Sequence, residues 1–394
     1  MAQITQPSPA EIQAMYRAQN ARAHAFVLGT GVRVIQPMPS QTVDLSRSWK
    51  YETNPANVGL VEGYLLEIEA EVKNSHATEK ATISETGAAN LLRFAEYFDP
   101  ANNPHFATSG RHIRQTNAIN NGSYLFDLTG EDNFNTVLEP VEIPAGQTRK
   151  VRIQLWLPLA RGRNDLTGAV LANVANSQQR LNLTFSRKDE AFVATGASEV
   201  DAVYVGGTLD FESFKFTVYQ QYFDQLKICQ TQAESQAYGV KVGQYIVPMI
   251  SLATFYKLEE TVISDLSVNS EKTLGYGDNR TYLSTSLTFA NGAELNGGND
   301  LEYISQKTAS GHEIIKLPPH LWAGRARQAM RGKDLPKGSY FLVNYENPIN
   351  TSVFGKMQVA FKPTKVNSGA KVIVGFEYLA STQALANLGL VSSN

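Results

Sequence analysis

The chain is predicted to be an all-β protein built from β-sandwiches, and three observations carry that expectation. Apolar and polar residues alternate along seven separate stretches. With 29 glycines, 16 prolines and 10% aromatic residues, the composition suits a turn-rich fold of short strands. Charged residues make up only 18%, below the ordinary ~25%, whereas a long solvated helical bundle would carry more Glu and Lys.

The N-terminal stretch is the exception to β structure. Residues 9–28 are expected to form an amphipathic helix: Ser8, Pro9 and Glu11 match helix-start signals. Ile12, Met15, Tyr16, Ala23, Phe26 and Val27 recur at mostly helical spacing, and Gly29 and Gly31 stop it. Pro37 and Pro39 follow, so residues 1–40 read as an arm and a linker. Arg17, Arg22 and His24 make this helix basic. It either packs on its own protein or faces a neighbour or an anionic membrane.

From about residue 55 the period becomes two. Tyr64, Leu66, Ile68, Ala70 and Val72 alternate with Leu65, Glu67, Glu69, Glu71 and Lys73. The pattern returns at Val151–Leu157, Leu181–Phe185 and Phe214–Val218. In the second half, Leu283, Thr285, Leu287 and Phe289 form one such face, Met357, Val359 and Phe361 another, and Val372, Val374, Phe376 and Tyr378 a third. Turn signals lie between the runs at Asp99-Pro100, Asn121-Gly122 and Ala145-Gly146. Short strands without regularly interleaved helices favour sandwiches over a parallel α/β sheet. A polar stretch near residues 229–244 separates two β blocks. Residues 318–331 are expected to be helical, with Leu321, Trp322, Ala326 and Met330 on an apolar side and Arg325, Arg327 and Arg331 on the polar side. A shorter helix is expected at 251–260, 87–98 fits helix or strand, and 165–175 fits helix or loop.

Little in the sequence points to reaction chemistry. Lys+Arg is 35 and Asp+Glu is 37, a net charge of −2, without the basic field that non-specific nucleic-acid binding needs. The one cysteine, Cys229, has no internal partner, which fits a reducing compartment and an inert thiol. The N-terminus lacks a basic, then apolar, leader, and no run approaches a membrane span, so the protein is expected to be soluble and made in a cytoplasm. The Asn-x-Ser/Thr triplets at Asn121, Asn182, Asn279 and Asn350 are then chance matches. The six histidines are His24, His76, His105, His112, His312 and His320, and none pairs at metal-ligand helix spacing. His105 and His112, near Arg111 and Arg114, are expected in a polar loop. Gly29-Thr30-Gly31 lacks a third fingerprint glycine, and Glu131, Asp132 and Asn135 lack EF-hand spacing. Glu67, Glu69 and Glu71 read as a solvated strand face rather than paired acids. No Gly-x-Ser-x-Gly elbow is present, and no cofactor or metal is expected.

Eight segments stand out along the chain: TNPANVGLVEGYL at 53–65, NSHATE at 74–79, LTGAVLANV at 166–174, QRLNLTF at 179–185, TVYQQYFDQL at 217–226, YLST at 282–285, PKGSYF at 336–341 and GFEYL at 375–379. Together they resemble the major capsid proteins of tectiviruses, icosahedral bacteriophages with an internal membrane. Their number, order and spread over both β blocks carry the likeness. The resemblance implies two eight-stranded jelly rolls in one chain, with a few short helices in loops. The expected division is an arm and linker at 1–40, a first roll at 41–244, a second at 245–382 and a tail at 383–394. Leu155, Phe185, Phe216 and Phe376 are expected in the cores. The resemblance further implies a homotrimer forming a pseudo-hexagonal capsomer in a virion shell, made in a bacterial host cytoplasm. Its partners would be neighbouring capsomers, the viral internal membrane, and minor capsid, vertex or cementing proteins, without specific nucleic-acid binding. Arg17, Arg22 and Phe26 are the candidate membrane or inner-face contacts.

Two other readings make different demands. A carbohydrate- or receptor-binding sandwich, such as a spike or adhesin, would expose an aromatic platform, for which Tyr222, Tyr238, Tyr245 and Trp322 are candidates. A jelly-roll glycosidase would need two facing carboxylates.

Overall fold

The computed structural model describes residues 14, 17, 18, 21, 26, 33–121, 138–161, 166–173, 178–247, 254–292, 294–295, 300–329, 335–344, 348–351 and 355–381. The chain is mostly strand, folded as two jelly rolls in tandem with a few short helices.

The first sheet of the first roll starts inside the segment expected as linker. Arg33–Pro37 pairs antiparallel with Tyr219–Phe223. Next come the long strands Leu209–Phe223 and Leu60–Asn74, then Thr148–Pro158. The period of two is realised here. Tyr64, Leu66, Ile68, Ala70 and Val72 are buried, and Leu65, Glu67, Glu69 and Glu71 are half-buried on the other face. Register sets Ile68 beside both Ile153 and Phe216, and Leu66 beside Leu155 and Val218. The facing sheet runs Lys50–Thr53, Arg180–Phe185, Leu92–Phe98, Pro104–Thr108. Phe185 meets Phe214 and Phe216 at ring separations of 5.1 and 4.8 Å, the range in which aromatic pairs attract. Leu155, Phe185 and Phe216 are all buried in this core.

In the second roll, one sheet holds Thr254–Ile263, Lys371–Ser381, Arg280–Asn291 and Ser339–Val343. The other holds Lys272–Gly275, Met357–Pro363, Leu301–Thr308 and Glu313–Leu317. Leu287, Phe289, Ile304, Val359, Phe361, Val374 and Phe376 fill the space between them. Trp322 closes this core, and its indole N–H donates to the Ile304 carbonyl at 2.9 Å.

The rolls share a sheet. Leu258 and Glu259 pair in parallel with Phe106 and Ala107, so the second sheet of the first roll continues into the second roll as ten strands.

Local expectations met different fates. Residues 254–260 are strand, not helix, because the whole of Thr254–Ile263 pairs with Lys371–Ser381 and that pairing overrides a weak local pattern. Stretch 87–98 divides into a 3-10 turn, Gly87–Leu91, and a strand, Leu92–Phe98. Residues 166–173 are a turn plus Val170–Leu171, which pairs with Leu60 and Val61. The 318–331 helix forms as Pro319–Ala329, with Met330 and Arg331 outside the described residues. In the polar stretch, Gln232–Tyr238 forms a capped helix: Thr231 accepts from the Glu234 N–H, and Gly239 ends it at φ 60°. Of 9–28, Ala14, Arg17, Ala18, Ala21 and Phe26 are helical, and the rest, including Arg22 and His24, lies outside the described residues. Glu131, Asp132 and Asn135 also lie outside them. The main element not expected is the helix Gly110–Asn121, read from sequence as a polar loop. Its sequence, GRHIRQTNAINN, offers no apolar stripe, because most of its buried side chains are polar.

Candidate functional site

That polar helix and the strand before it form a buried seam between the rolls. Ser109 starts the helix by accepting from the His112 N–H at 3.2 Å. The Ser109 N–H donates at 2.7 Å to Glu260 of the second roll, so a carboxylate from across the seam sits at the helix N-terminus. Arg111 reaches the same carboxylate at 3.2 Å, donates to the Val200 carbonyl at 3.2 Å, and approaches Asp201 at 3.5 Å. Asp201 also pairs with Arg93 at 2.6 Å and with Lys371 of the second roll at 3.1 Å. Burial opposes ionisation of Glu260 and Asp201. Arg111, His112 and the Ser109 hydrogen bonds together outweigh it at Glu260, and Arg93, Lys371 and Arg111 together outweigh it at Asp201, so both carboxyls lie below their usual range.

Further along the helix, Gln115 donates to Ser339 at 3.2 Å, and Ile119 packs with Ala326 and Phe341. His112 shares a 2.7 Å hydrogen bond with Thr108 through Nδ1. Its ring edge covers Gly375, where a Cβ would lie 2.5 Å from both His112 Nε2 and Ser286 Oγ. Glycine is therefore required by close approach. Two residues on, fully buried Glu377 accepts from the Tyr256 hydroxyl at 2.7 Å and from Ser284. Each buried acid of the seam is thus paired or multiply hydrogen-bonded, the condition under which charge is tolerated away from water.

The loop expected for His105 and His112 is corrected: one is on a strand, the other on a helix, and both are buried. His105 Nε2 lies 3.2 Å from Asp99, and its ring meets Phe255 edge-on at 4.7 Å. The two histidines keep separate partners, and among the described residues no group of three or more His, Cys, Asp or Glu is placed to hold a metal.

The Phe26 ring is buried with Leu60, Ala160, Ala169, Leu226 and Val247, edge-on to Phe223 at 5.1 Å, which anchors this residue to the first roll. Arg17 is exposed. Near this anchor, Arg33 donates to buried Glu62 at 2.6 Å, and Gln221 donates to the same carboxylate.

The aromatic-platform candidates do not form one surface. Tyr222 and Trp322 are buried, while Tyr238 and Tyr245 are half-buried, and the Tyr245 hydroxyl accepts from Asn173 at 2.6 Å. Glu67, Glu69 and Glu71 are half-buried rather than fully solvated. Glu69 lies between Arg152 and Lys215, and Glu67 accepts from Gln154 and Tyr219, which makes a cross-strand ladder. A groove of about 420 Å³, lined by residues including Lys188, Asp189, Phe192 and Thr208, carries one carboxylate, Asp189. Cys229 is buried.

Sequence reasoning missed Asp201, Glu260 and Glu377. The available signal for Glu377 was a carboxylate inside the apolar run VIVGFEYLA at 372–380.

Residues 10–226 match the family described as P3 major capsid protein N-terminal, and residues 253–393 match P3 major capsid protein C-terminal. Major capsid protein P3 of Enterobacteria phage PRD1 is 37% identical over 407 residues, covering 100% of each chain. Among solved structures, a chain of Sulfolobus Turreted Icosahedral Virus is similar with a TM-score of 0.63 at 10% identity, covering 91% of this chain and 94% of that one. A chain of the PBCV-1 virus capsid is similar with a TM-score of 0.53 at 10% identity, covering 89% of this chain and 94% of that one. At such identity the structural likeness speaks for the fold.

Proposed function

The chain belongs to the P3 major capsid protein family, whose place is the shell of a bacteriophage virion, and from that premise we propose that it assembles as a homotrimeric, pseudo-hexagonal capsomer. Three copies, each with two rolls, supply six similar sectors, and closed trimers can tile an icosahedral shell. The observation that carries this reading is the sheet that runs from one roll into the next through Phe106 and Leu258. It makes the fixed pair of rolls, rather than a single roll, the building unit. The role is mechanical: the shell encloses an internal membrane and the genome, and minor capsid, vertex or cementing proteins join it. The division into arm (1–40), first roll (41–244), second roll (245–382) and tail (383–394) belongs to the same proposal.

Native mass measurement followed by electron microscopy tests it. A stable trimer with a hexagonal outline is expected, and a monomer at micromolar concentration would overturn the reading.

The membrane contact rests on Arg17 and Arg22, since Phe26 is turned into the body. Reversing both charges is expected to weaken flotation with anionic vesicles. Equal flotation of variant and wild type would remove the membrane contact while leaving the shell.

A further inference from the structure

His112 is a titratable group that shell building does not require, placed where the two rolls meet. It is buried, its Nδ1 is engaged by Thr108, and its Nε2 has no hydrogen-bond partner among the described residues. That free nitrogen lies against Gly375 and Ser286, both on second-roll strands, while the imidazole belongs to a first-roll helix. The charged groups facing it are Glu260 from the Thr254–Ile263 strand, Glu377 from the Lys371–Ser381 strand and Arg111 from its own helix. The Arg280–Asn291 and Pro104–Thr108 strands present the hydroxyls of Ser286 and Thr108. Both acids are already occupied, Glu260 by Arg111 and Ser109, Glu377 by Tyr256 and Ser284.

We propose that His112 is an acid-sensitive pin of the inter-roll seam: neutral, it lets the helix Gly110–Asn121 close on the second roll, and protonated, it loosens that contact. A proton added to the imidazole turns both ring nitrogens into donors. One of them then points at Gly375, with no acceptor hydrogen-bonded to it among the described residues. Burying that cation is costly, and Glu260 and Glu377 offset the cost only in part, so the ring charges by opening the seam.

Burial lowers the affinity of His112 for a proton, with Glu260 and Glu377 opposing and Arg111 assisting. For a histidine whose folded value is depressed, the unfolded or opened state binds the proton first. Seam stability is therefore complete above about pH 6.5 and declines as pH falls below it, until the folded value is reached. The seam carboxylates act lower, below about pH 4. This separates their effect from that of the pin. The inference goes beyond the capsid reading, and its test does not depend on trimer formation.

Two measurements on the full-length protein decide it. Hydrogen exchange at the imidazole C2 carbon gives a titration curve for each histidine. His112 is expected to titrate below 6.5 and to exchange at least about tenfold more slowly than exposed His312 and His320. A His112 midpoint at or above 6.5 would overturn the proposal. In amide exchange, corrected for intrinsic rates, Gly110–Asn121 and Lys371–Ser381 should lose protection from pH 7.5 to 5.0, by no more than about thirtyfold, the limit set by the span from 6.5 to 5.0. His112→Asn keeps a polar partner for Thr108 and cannot titrate, and it should flatten that loss. Full retention of the pH dependence in the variant would refute the pin. Should the variant fail to fold, the wild-type imidazole titration decides alone.

Discussion

The two rolls use the second face of their central strands differently. In the first, Leu60–Asn74 alternates from Tyr64 through Val72, with a buried core face and a half-buried face of cross-strand pairs. In the second, Arg280–Asn291 is buried on both faces from Tyr282 to Asn291. Leu287 and Phe289 fill its core side, whereas Ser284 and Ser286 lie on the side that meets Glu377 and His112. A bulge between Tyr282 and Ser284 turns Leu283 into the first-roll core. The lesson is that hydrophobic period two reports a sheet with one wet face. Where a second roll covers that face, small hydroxyls replace the charged row and the pattern fades.

The comparison breaks most completely if the dry side of the first roll tolerates charge. Leu155→Asp places a carboxylate at a position with no exposure, opposite Leu66. The cost is several kcal/mol, because no partner is there to match it. No soluble trimer is expected. A native mass spectrum showing wild-type-like trimer would mean that Leu155 does not face the core.

The seam should be the next most sensitive place. Glu377→Ala leaves the buried Tyr256 and Ser284 hydroxyls without their shared acceptor. The expected loss is about 3 kcal/mol in urea unfolding, and Glu377→Gln, which still accepts, should lose less than half of that. Equal midpoints for Glu377→Ala and wild type would show that the polar face contributes no stability and that the rolls are held by their cores alone.

Acid sharpens the same contrast. Glu260, Asp201 and Asp99 all have folded pKa values lowered from the usual range. Each opposes burial, chiefly through Arg111 at Glu260, Arg93 at Asp201 and His105 at Asp99. Their stabilisation is present above the unfolded values, near 4, and disappears as pH falls through the lowered folded values. Urea midpoints should therefore drop between pH 5 and pH 3, and the drop should be shallower in Glu260→Gln. A parallel drop in wild type and variant would place the acid response outside the seam.

How much of this was readable depended on how local its cause was. The sandwich class and the strands around Leu66, Leu155 and Phe216 were legible, since alternation is written in adjacent residues. The segments that resemble tectivirus capsid proteins proved to hold many of the long-range polar ties. NSHATE supplies Asn74, which donates to the Glu79 and Ile143 carbonyls and accepts from the Thr208 N–H. QRLNLTF supplies Gln179, which accepts from Tyr64 and Tyr97. In LTGAVLANV, Gly168 has φ +92°, and a Cβ there would lie 2.6 Å from Tyr256 of the second roll. GFEYL supplies Gly375 and Glu377. Nothing adjacent in sequence identifies these partners. The Gly110–Asn121 helix was illegible for the same reason: its polar side chains are buried by distant partners from both rolls, Asn117 donating to the Trp156 carbonyl of the first and Gln115 to Ser339 of the second.

The smallest expected effect tests whether charge pairs matter by location or merely by presence. Lys188 and Asp210 pair at 2.6 Å with both side chains more than half exposed, near the open groove of the first roll. Their geometry is closer than that of Arg111 and Glu260 at 3.2 Å. By distance alone the exposed pair should be the stronger. Water and salt screen it, however, and two flexible side chains lose entropy to hold it. Lys188→Ala should therefore cost less than about 0.5 kcal/mol, and added salt should shrink even that. A loss above about 1 kcal/mol would remove the distinction between the sealed polar seam and the open surface, because burial would no longer explain which pairs hold the rolls together.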